Sequence, residues 1–216
     1  LVKEIESSGG TAVAISADLS NRSVHKKVVQ KAEESIGSLD ILVNNAGFQH
    51  IDPIDQFPLE MWEKMLAVML TTPFLLTKYV WSSMKASAWG RIVNITSTSV
   101  KQPVDGLILS NSIRMAVVGW AKALANEVGP DQVVVNNVCP GYTTTDRLGQ
   151  LASNIAARDN IEETQVFENW AGLVPLRRLA SPEEFANVVV FLASEEAAYV
   201  HGTTIAVDGG RSQSVT

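Results

Sequence analysis

Four short segments of this 216-residue chain combine small residues with hydrogen-bonding side chains: Asp18-Leu19, Asn44-Asn45-Ala46-Gly47, Ser97-Thr98-Ser99 and Pro140 to Asp146. Gly and Ala leave room for a ligand to approach the backbone. Asn, Ser and Thr offer neutral donors and acceptors, and Asp18 offers a charge. Any one of these segments reads equally well as a strand running out into turn residues. All of them together point to one common ligand. Other chemistries find less support. The single Cys139 excludes an internal disulfide and a multi-cysteine metal site. His25 and His201 have no partners in a metal-ligating pattern, so no metal is expected. His50 is a candidate acid, although a solvated loop histidine is the plainer reading.

The elements that must position these segments alternate between short apolar runs and helical patterns. Thr11 to Ile15 is a β-prone run after Gly9-Gly10. Asp18-Leu19-Ser20-Asn21 then offers N-cap residues for a helix with Val24, Val28, Ala32 and Ile36 at helical spacing, ended by Gly37. Leu39 to Val43 reads as a strand covered on both faces and halted by Asn44 to Gly47. A helical stretch over about residues 59–84 contains Pro73, which predicts a kink or a break. Arg91 to Thr96 is the next strand. A helix over about residues 109–128 follows, with Val117, Trp120, Leu124 and Val128 in its periodic pattern. Val133 begins a strand closed by Cys139-Pro140-Gly141. Residues 143 to about 170 are polar and read as a helical or mobile flap. Ser181, Pro182 and Glu184 spell a capping box with Pro at the first helical position. A last strand, Thr204 to Val207, ends in Asp208-Gly209-Gly210. No repeat or linker divides the series, so the expected architecture is α/β with a doubly wound parallel sheet. Ligands of such sheets lie at the carboxyl ends of the strands, where the four segments fall.

Composition narrows the partners. Hydrophobic residues make up 46% and charged residues 19%, a globular balance that excludes a disordered chain. A formal net charge of -6 argues against nucleic acid and anionic lipid. No apolar run approaches the roughly 20 residues of a membrane helix. One cysteine fits a reducing cytoplasm.

The segments also carry a resemblance. Asn44-Asn45-Ala46-Gly47, the strand from Arg91 to Ser97, Pro140-Gly141 and Val207-Asp208-Gly209-Gly210 occur in the order and spacing of the short-chain dehydrogenase/reductases. The chain resembles that family over essentially its whole length. The resemblance implies a Rossmann-type fold, NAD or NADP as cofactor, and a small-molecule substrate. It implies that Asp18 hydrogen-bonds the adenine and that Asn45, Ala46 and Gly47 admit the cofactor. Ser97 would hold the substrate oxygen. Pro140-Gly141 would meet the nicotinamide carboxamide, with Thr143 beside it and Thr145 near the pyrophosphate. Gly47-Phe48-Gln49-His50-Ile51 resembles the 3-hydroxybutyrate dehydrogenase members, which makes Gln49 a substrate residue. Tyr142, after the Pro-Gly loop, is a second.

The resemblance breaks at the family's proton donor, a Tyr with a Lys four residues later that lowers the phenol's pKa. Four residues after Tyr79, Tyr142 and Tyr199 stand Ser83, Asp146 and Thr203. Matching Ala116-Val117-Val118-Gly119 to the family's helix puts Ser110 at the tyrosine position and Arg114 at the lysine position. Val68-Met69-Leu70 stands where the family has Val-Asn-Leu. The segment Leu109-Ser110-Asn111-Ser112-Ile113-Arg114 is similar to that of a subgroup of reductase-like relatives, which makes Ser97, Ser110 and Arg114 the expected catalytic set. Arg114 keeps the cation and can fork onto ribose hydroxyls, but it does not usefully deprotonate. A serine is a poor acid alone, so Ser110 would relay a proton through water or Tyr142.

No Gly-x-Gly occurs in the 216 residues, whereas the family places such a turn at the pyrophosphate. Leu1 also falls inside a helical pattern. Residues 1–216 are therefore expected to be one incomplete NAD(P)-binding domain, lacking a first β-α-β segment of about 30 or more residues. The expected function is hydride transfer between nicotinamide and an alcohol or ketone of the 3-oxoacyl or 3-hydroxy-acid kind. The competing reading is a catalytically silent relative that binds a nucleotide or a partner. Homo-oligomers, dimeric or tetrameric, are expected through the helix that carries Trp120.

Overall fold

Strands rich in Val and Ile and separated by long helices pair in parallel, because each helix returns the chain to the same end of the sheet. The computed structural model, which describes residues 1–214, has this arrangement. β1 (Ile41–Asn44), β2 (Gly90–Ile95), β3 (Val133–Pro140) and β4 (Thr204–Val207) form one four-stranded sheet in that order. Every neighbouring pair is parallel.

Two expectations near the start are corrected. Thr11 to Ile15 is not a strand: it joins no ladder, and Val13 is 48% exposed. β-propensity becomes a strand only where a partner edge receives it, and none does here. After a short α1 (Val2–Ser7), α2 (His25–Ile36) is capped by Val24 and not by the Asp18–Asn21 segment. Those side chains instead close local turns, Asp18 Oδ1 accepting from Ser20 N and Asn21 Oδ1 from Ser23 N, both at 3.0 Å.

The long helical stretch divides where Pro73 requires it. α3 (Leu59–Leu66) runs into a π turn at Ala67–Thr71, and α4 (Thr72–Ser87) continues beyond. Pro73 offers no N–H to the carbonyl four residues earlier, that of Met69. Thr72 Oγ1 lies 2.9 Å from the Ala67 carbonyl and 3.0 Å from that of Leu19, tying the turn to the Asp18 loop. α5 (Ile108–Val128) connects β2 to β3. The polar stretch after β3 folds into α6 (Asp146–Asp159) and α7 (Glu163–Gly172), and α8 (Pro182–Leu192) leads to β4.

Helices pack on both faces of the sheet, but β1 is not covered on both as expected: it is the edge strand, and Ile41 and Val43 are exposed on one face. Val29, Val80, Met84, Ala121 and Ala125 pack with Ile92, Val133 and Val135 on one face. Leu192, with Phe185, Val188 and Val189 of α8, packs with Val93 and Val138 on the other. The fold is thus the expected doubly wound, Rossmann-type sheet. A polar ladder crosses it, from the carboxyl ends of β1 and β2 through the middle of β3 to the start of β4. Asn44 Nδ2 donates to Asn94 Oδ1 at 2.8 Å, Asn94 Nδ2 to Asn137 Oδ1 at 3.0 Å, and Asn137 Nδ2 to Thr204 Oγ1 at 3.1 Å. Each of these residues is also the register partner of the next, and all three asparagines are buried.

The cap of α8 is formed as the sequence spells it. Ser181 Oγ accepts from Glu184 N, and the Glu184 carboxylate accepts from Ser181 N. Arg178 forks onto the same carboxylate at 2.7 and 2.6 Å. Arg178 first, then the Ser181 N–H, holds Glu184 at about 2, below its ordinary 4.5.

Asn94→Ala should cost about 3 kcal/mol in urea unfolding, because it leaves the Asn44 amide and the Asn137 carbonyl buried without partners. The Glu184 carboxylate stabilises the fold while it is charged, so its contribution is present above pH 4.5 and fades as pH falls toward 2. Glu184→Gln should therefore melt lower than the parent at pH 7. The two melting temperatures should draw together between pH 4.5 and pH 2.

Candidate active site

Parallel strands deliver their carboxyl ends to one edge, so the loops after β1, β2 and β3 emerge side by side. α5 supplies the remaining groups. Ser110 and Arg114 are one helical turn apart and face the same side. Arg114 Nε donates to Ser110 Oγ at 3.2 Å, and Nη1 donates to the Ile95 carbonyl at 3.1 Å and the Thr96 carbonyl at 2.6 Å. The guanidinium is thereby pinned to the residues that lead into Ser97. Burial, then the nearby positive charge of Arg147, lowers Arg114 to about 10, with Cys139 opposing. It remains a cation at neutral pH. Ser110 is buried at 2% exposure, and Ser97 Oγ accepts from Ser99 N at 3.1 Å. Burial pushes the Cys139 thiol up, and it lies 3.1 Å from Thr96 Oγ1, a packed neutral group and not a nucleophile.

Asn45, Ala46 and Gly47 form an exposed rim beside this cation. A Cβ built on Gly47 would stand 3.6 Å from Arg114 Nη2 and 3.6 Å from Met69 Cγ. Met69, buried in the π turn, thus fills with a thioether the place where the family resemblance has an amide. Gly141 has a different reason to be glycine: its Cβ would meet Asp208 Cα at 2.7 Å, so the approach of the β4 end dictates the residue. The neighbouring Pro140 ends β3, and Gly141 N donates to the Val207 carbonyl at 2.9 Å. Thr143 bridges to Ala180, and its Oγ1 is buried with no hydrogen-bond partner. Thr145 caps α6, accepting from Leu148 N at 3.3 Å.

Other expected residues are already engaged. The Asp18 carboxylate accepts the Ser20 hydroxyl at 2.7 Å and the Ser20 N–H, which lowers its pKa. Gln49 is exposed, while His50 Nε2 sits 2.5 Å from Asp52 and its ring meets Phe57 edge-on at 5.2 Å. Tyr142 stacks on Trp170 with ring centroids 5.3 Å apart, and Arg211 lies over its ring at 4.5 Å. Tyr79 packs against the core and Tyr199 is fully exposed, so neither phenol occupies the site. Two cations escaped the sequence reading: Arg147, in the first turn of α6, and Arg211, directly after Gly209-Gly210. Neither belongs to a motif, so only spatial placement reveals them. Among the described residues, no group of His, Cys, Asp and Glu is arranged to hold a metal ion, and no helix is long and apolar enough to cross a membrane.

Known proteins resemble this chain in sequence and fold. A family model described as enoyl-(acyl carrier protein) reductase matches residues 1–212. An uncharacterized oxidoreductase of Bacillus subtilis, YxjF, is 39% identical over 203 residues, covering 94% of this chain and 79% of the relative. D-beta-hydroxybutyrate dehydrogenase of Rhizobium meliloti is 32% identical over 206 residues, again 94% and 79%. The structure of L-sorbose reductase from Gluconobacter frateurii, complexed with NADPH and L-sorbose, superposes with a TM-score of 0.94 at 29% identity, covering 99% of this chain and 82% of that one. With both the sequence match and the parallel sheet extending over nearly the whole chain, this protein belongs to the short-chain dehydrogenase/reductase family of NAD(P)-dependent oxidoreductases.

Proposed function

We propose that the site moves a hydride between NAD(H) or NADP(H) and an alcohol or ketone of the 3-oxoacyl or 3-hydroxy-acid kind. The observation that carries this reading is the Arg114–Ser110 hydrogen bond, with the same guanidinium anchored on the carbonyls next to Ser97. It fixes a cation on the Ser110 hydroxyl and ties it to the backbone that leads into Ser97. The D-beta-hydroxybutyrate dehydrogenase relative supports the substrate class, and the NADPH of the sorbose reductase complex supports the cofactor.

The residues present suit the nicotinamide end of that cofactor. The orphan Thr143 Oγ1 is a free hydrogen-bonding group for the carboxamide, and Arg114 Nη2, beside the open Asn45–Gly47 rim, is a donor for ribose hydroxyls. Pro140 and Gly141 set the wall next to Thr143. The nicotinamide, when bound, supplies or takes the hydride. The protein supplies polarisation. Ser97 Oγ, which accepts from Ser99 N, turns its proton toward the substrate oxygen. Ser110 Oγ accepts from Arg114, so its own proton also points away from the cation. Both hydroxyls and the guanidinium charge stabilise negative charge on that oxygen as the carbonyl is reduced. Ser110 gives up its proton and regains one from water, acting as a relay without needing a low pKa.

A second reading, a family member that binds dinucleotide without turnover, is favoured by one observation. No phenol lies beside Arg114, because Tyr142 is stacked on Trp170 instead. A separate surface bears on assembly. Phe74, Trp81, Trp120 and Leu124 line an apolar groove of about 350 Å³ between α4 and α5, with Phe74 and Trp120 edge-on at 6.4 Å. We assign this face to self-association in a protein of the cytoplasm.

Oxidation of NADH and NADPH should be followed with acetoacetate and 3-ketoacyl thioesters. Arg114→Ala should lower kcat/KM by roughly 100- to 1000-fold, the scale of one lost oxyanion donor. Cofactor binding without turnover, unchanged in Ser110→Ala, would select the silent reading. Sedimentation should find Trp120→Glu shifted to monomer relative to the parent; an unchanged oligomer would remove this face from the assembly.

A further inference from the structure

A cleft of about 370 Å³ opens beside the site, lined by Thr98, Gln102, Val104, Asp105, Leu173 and Arg211. Its volume suits a small ligand. Thr98 is the residue after Ser97, so the cleft reaches the loop that carries that serine. Arg211 lines the same cleft. The guanidinium rests 4.5 Å above the Tyr142 ring and its Nη2 is 3.4 Å from the Tyr142 hydroxyl. Tyr142 is in turn stacked on Trp170, which is 8% exposed and packed with α6. The backbone on either side of Arg211 is also held. The Asp208 carboxylate accepts from Gly210 N at 3.0 Å and from Ser212 N at 2.8 Å. Arg211 N donates to the Asp208 carbonyl at 3.2 Å. Yet no carboxylate among the described residues forms an ion pair with Arg211.

We propose that Arg211 is the specificity residue of this enzyme: it receives the carboxylate of a small oxo-acid whose carbonyl oxygen sits at Ser97 and Ser110. A fixed, planar guanidinium laid on an aromatic shelf matches a carboxylate through two parallel hydrogen bonds. Holding the side chain in advance removes much of the ordering cost that a flexible arginine would meet on binding. Asp105, on the same cleft, places a negative charge near the entrance, which favours a singly charged carboxylate over a doubly charged phosphate. Orientation follows from the same contact. With its acid end on Arg211, the substrate presents its carbonyl to the Ser97 end of the cleft.

This assignment rests on the hydride-transfer reading, and the test separates the two. The full chain, its Arg211→Ala and its Arg211→Lys variants should be assayed with acetoacetate and with its neutral methyl ester. Arg211→Ala should lose roughly 10- to 100-fold in kcat/KM on acetoacetate, chiefly through KM, the scale of one charged hydrogen-bonding contact. It should stay within about twofold on the ester, since that ligand has no charge to lose. Arg211→Lys, which keeps the charge without the fork, should fall between. Equal losses on both ligands, or none on either, would overturn the assignment. So would a stronger effect of Arg211→Ala on dihydroxyacetone phosphate than on acetoacetate. If no ligand turns over, the hydride-transfer reading fails by itself, and calorimetric titration of acetoacetate then decides Arg211. Binding that weakens at least tenfold in Arg211→Ala sustains the assignment; absent or unweakened binding ends it.

Discussion

The side-chain ladder Asn44–Asn94–Asn137–Thr204 is the constraint on which the rest of this structure depends. Backbone hydrogen bonds alone would tolerate a parallel strand slipped by two residues, since such a slip restores the same facing pattern. A buried amide does not tolerate it, because the slip would leave donors and acceptors unpaired in a dry interior. The ladder therefore admits one register. Each of its asparagines stands within three residues of a functional loop: Asn44 opens the rim to Gly47, Asn94 precedes Ser97, and Asn137 precedes Pro140. Locking the strands sets the relative heights of those loops.

The same face receives α5, and Arg114 completes what the ladder begins. Its guanidinium caps carbonyls at the end of β2, which otherwise have no sheet partner there. Burying that charge is unfavourable, and its lowered pKa reflects the penalty. The carbonyls and Ser110 offset it with hydrogen bonds in a low-dielectric setting. A cation held this firmly is suited to stabilising charge on a nearby oxygen and unsuited to proton transfer. Ser110 and Arg114 stand where the family resemblance has tyrosine and lysine, so the site holds a rigid cation with a serine hydroxyl on it in place of a phenol.

Behind β3 the chain builds a second rigid structure. α6 and α7 bring Trp170 under Tyr142, and the turn after β4, pinned by Asp208, brings Arg211 over it. The two positive centres differ in kind. Arg114 is committed to the fold through three of its contacts, whereas Arg211 is held by an aromatic face that leaves its hydrogen-bonding edge open. Stacking and one hydrogen bond, from Nη2 to the Tyr142 hydroxyl, fix the position of the second guanidinium and leave it without a carboxylate partner among the described residues.

Local chemistry was readable in the residues themselves. Pro73 announced the break between α3 and α4, Ser181 with Glu184 announced the cap of α8, and the Val- and Ile-rich runs announced three strands of a parallel sheet and a fourth at Thr204. These features depend on backbone dihedrals, missing N–H groups and near neighbours, all of which the sequence states directly. The spacing of Ser110 and Arg114 was likewise legible, because a helix converts a separation of four into one face. Thr11 to Ile15 was misread for the opposite reason: a strand is a property of two segments, and no periodicity reveals whether a partner edge is in reach. Only the tertiary structure decided that Gly141 answers to Asp208, that Tyr142 stacks on Trp170, and that Arg211 faces the cleft beside Ser97. Those are contacts across 28 residues or more, where the chain's path and not its local chemistry determines which side chains meet.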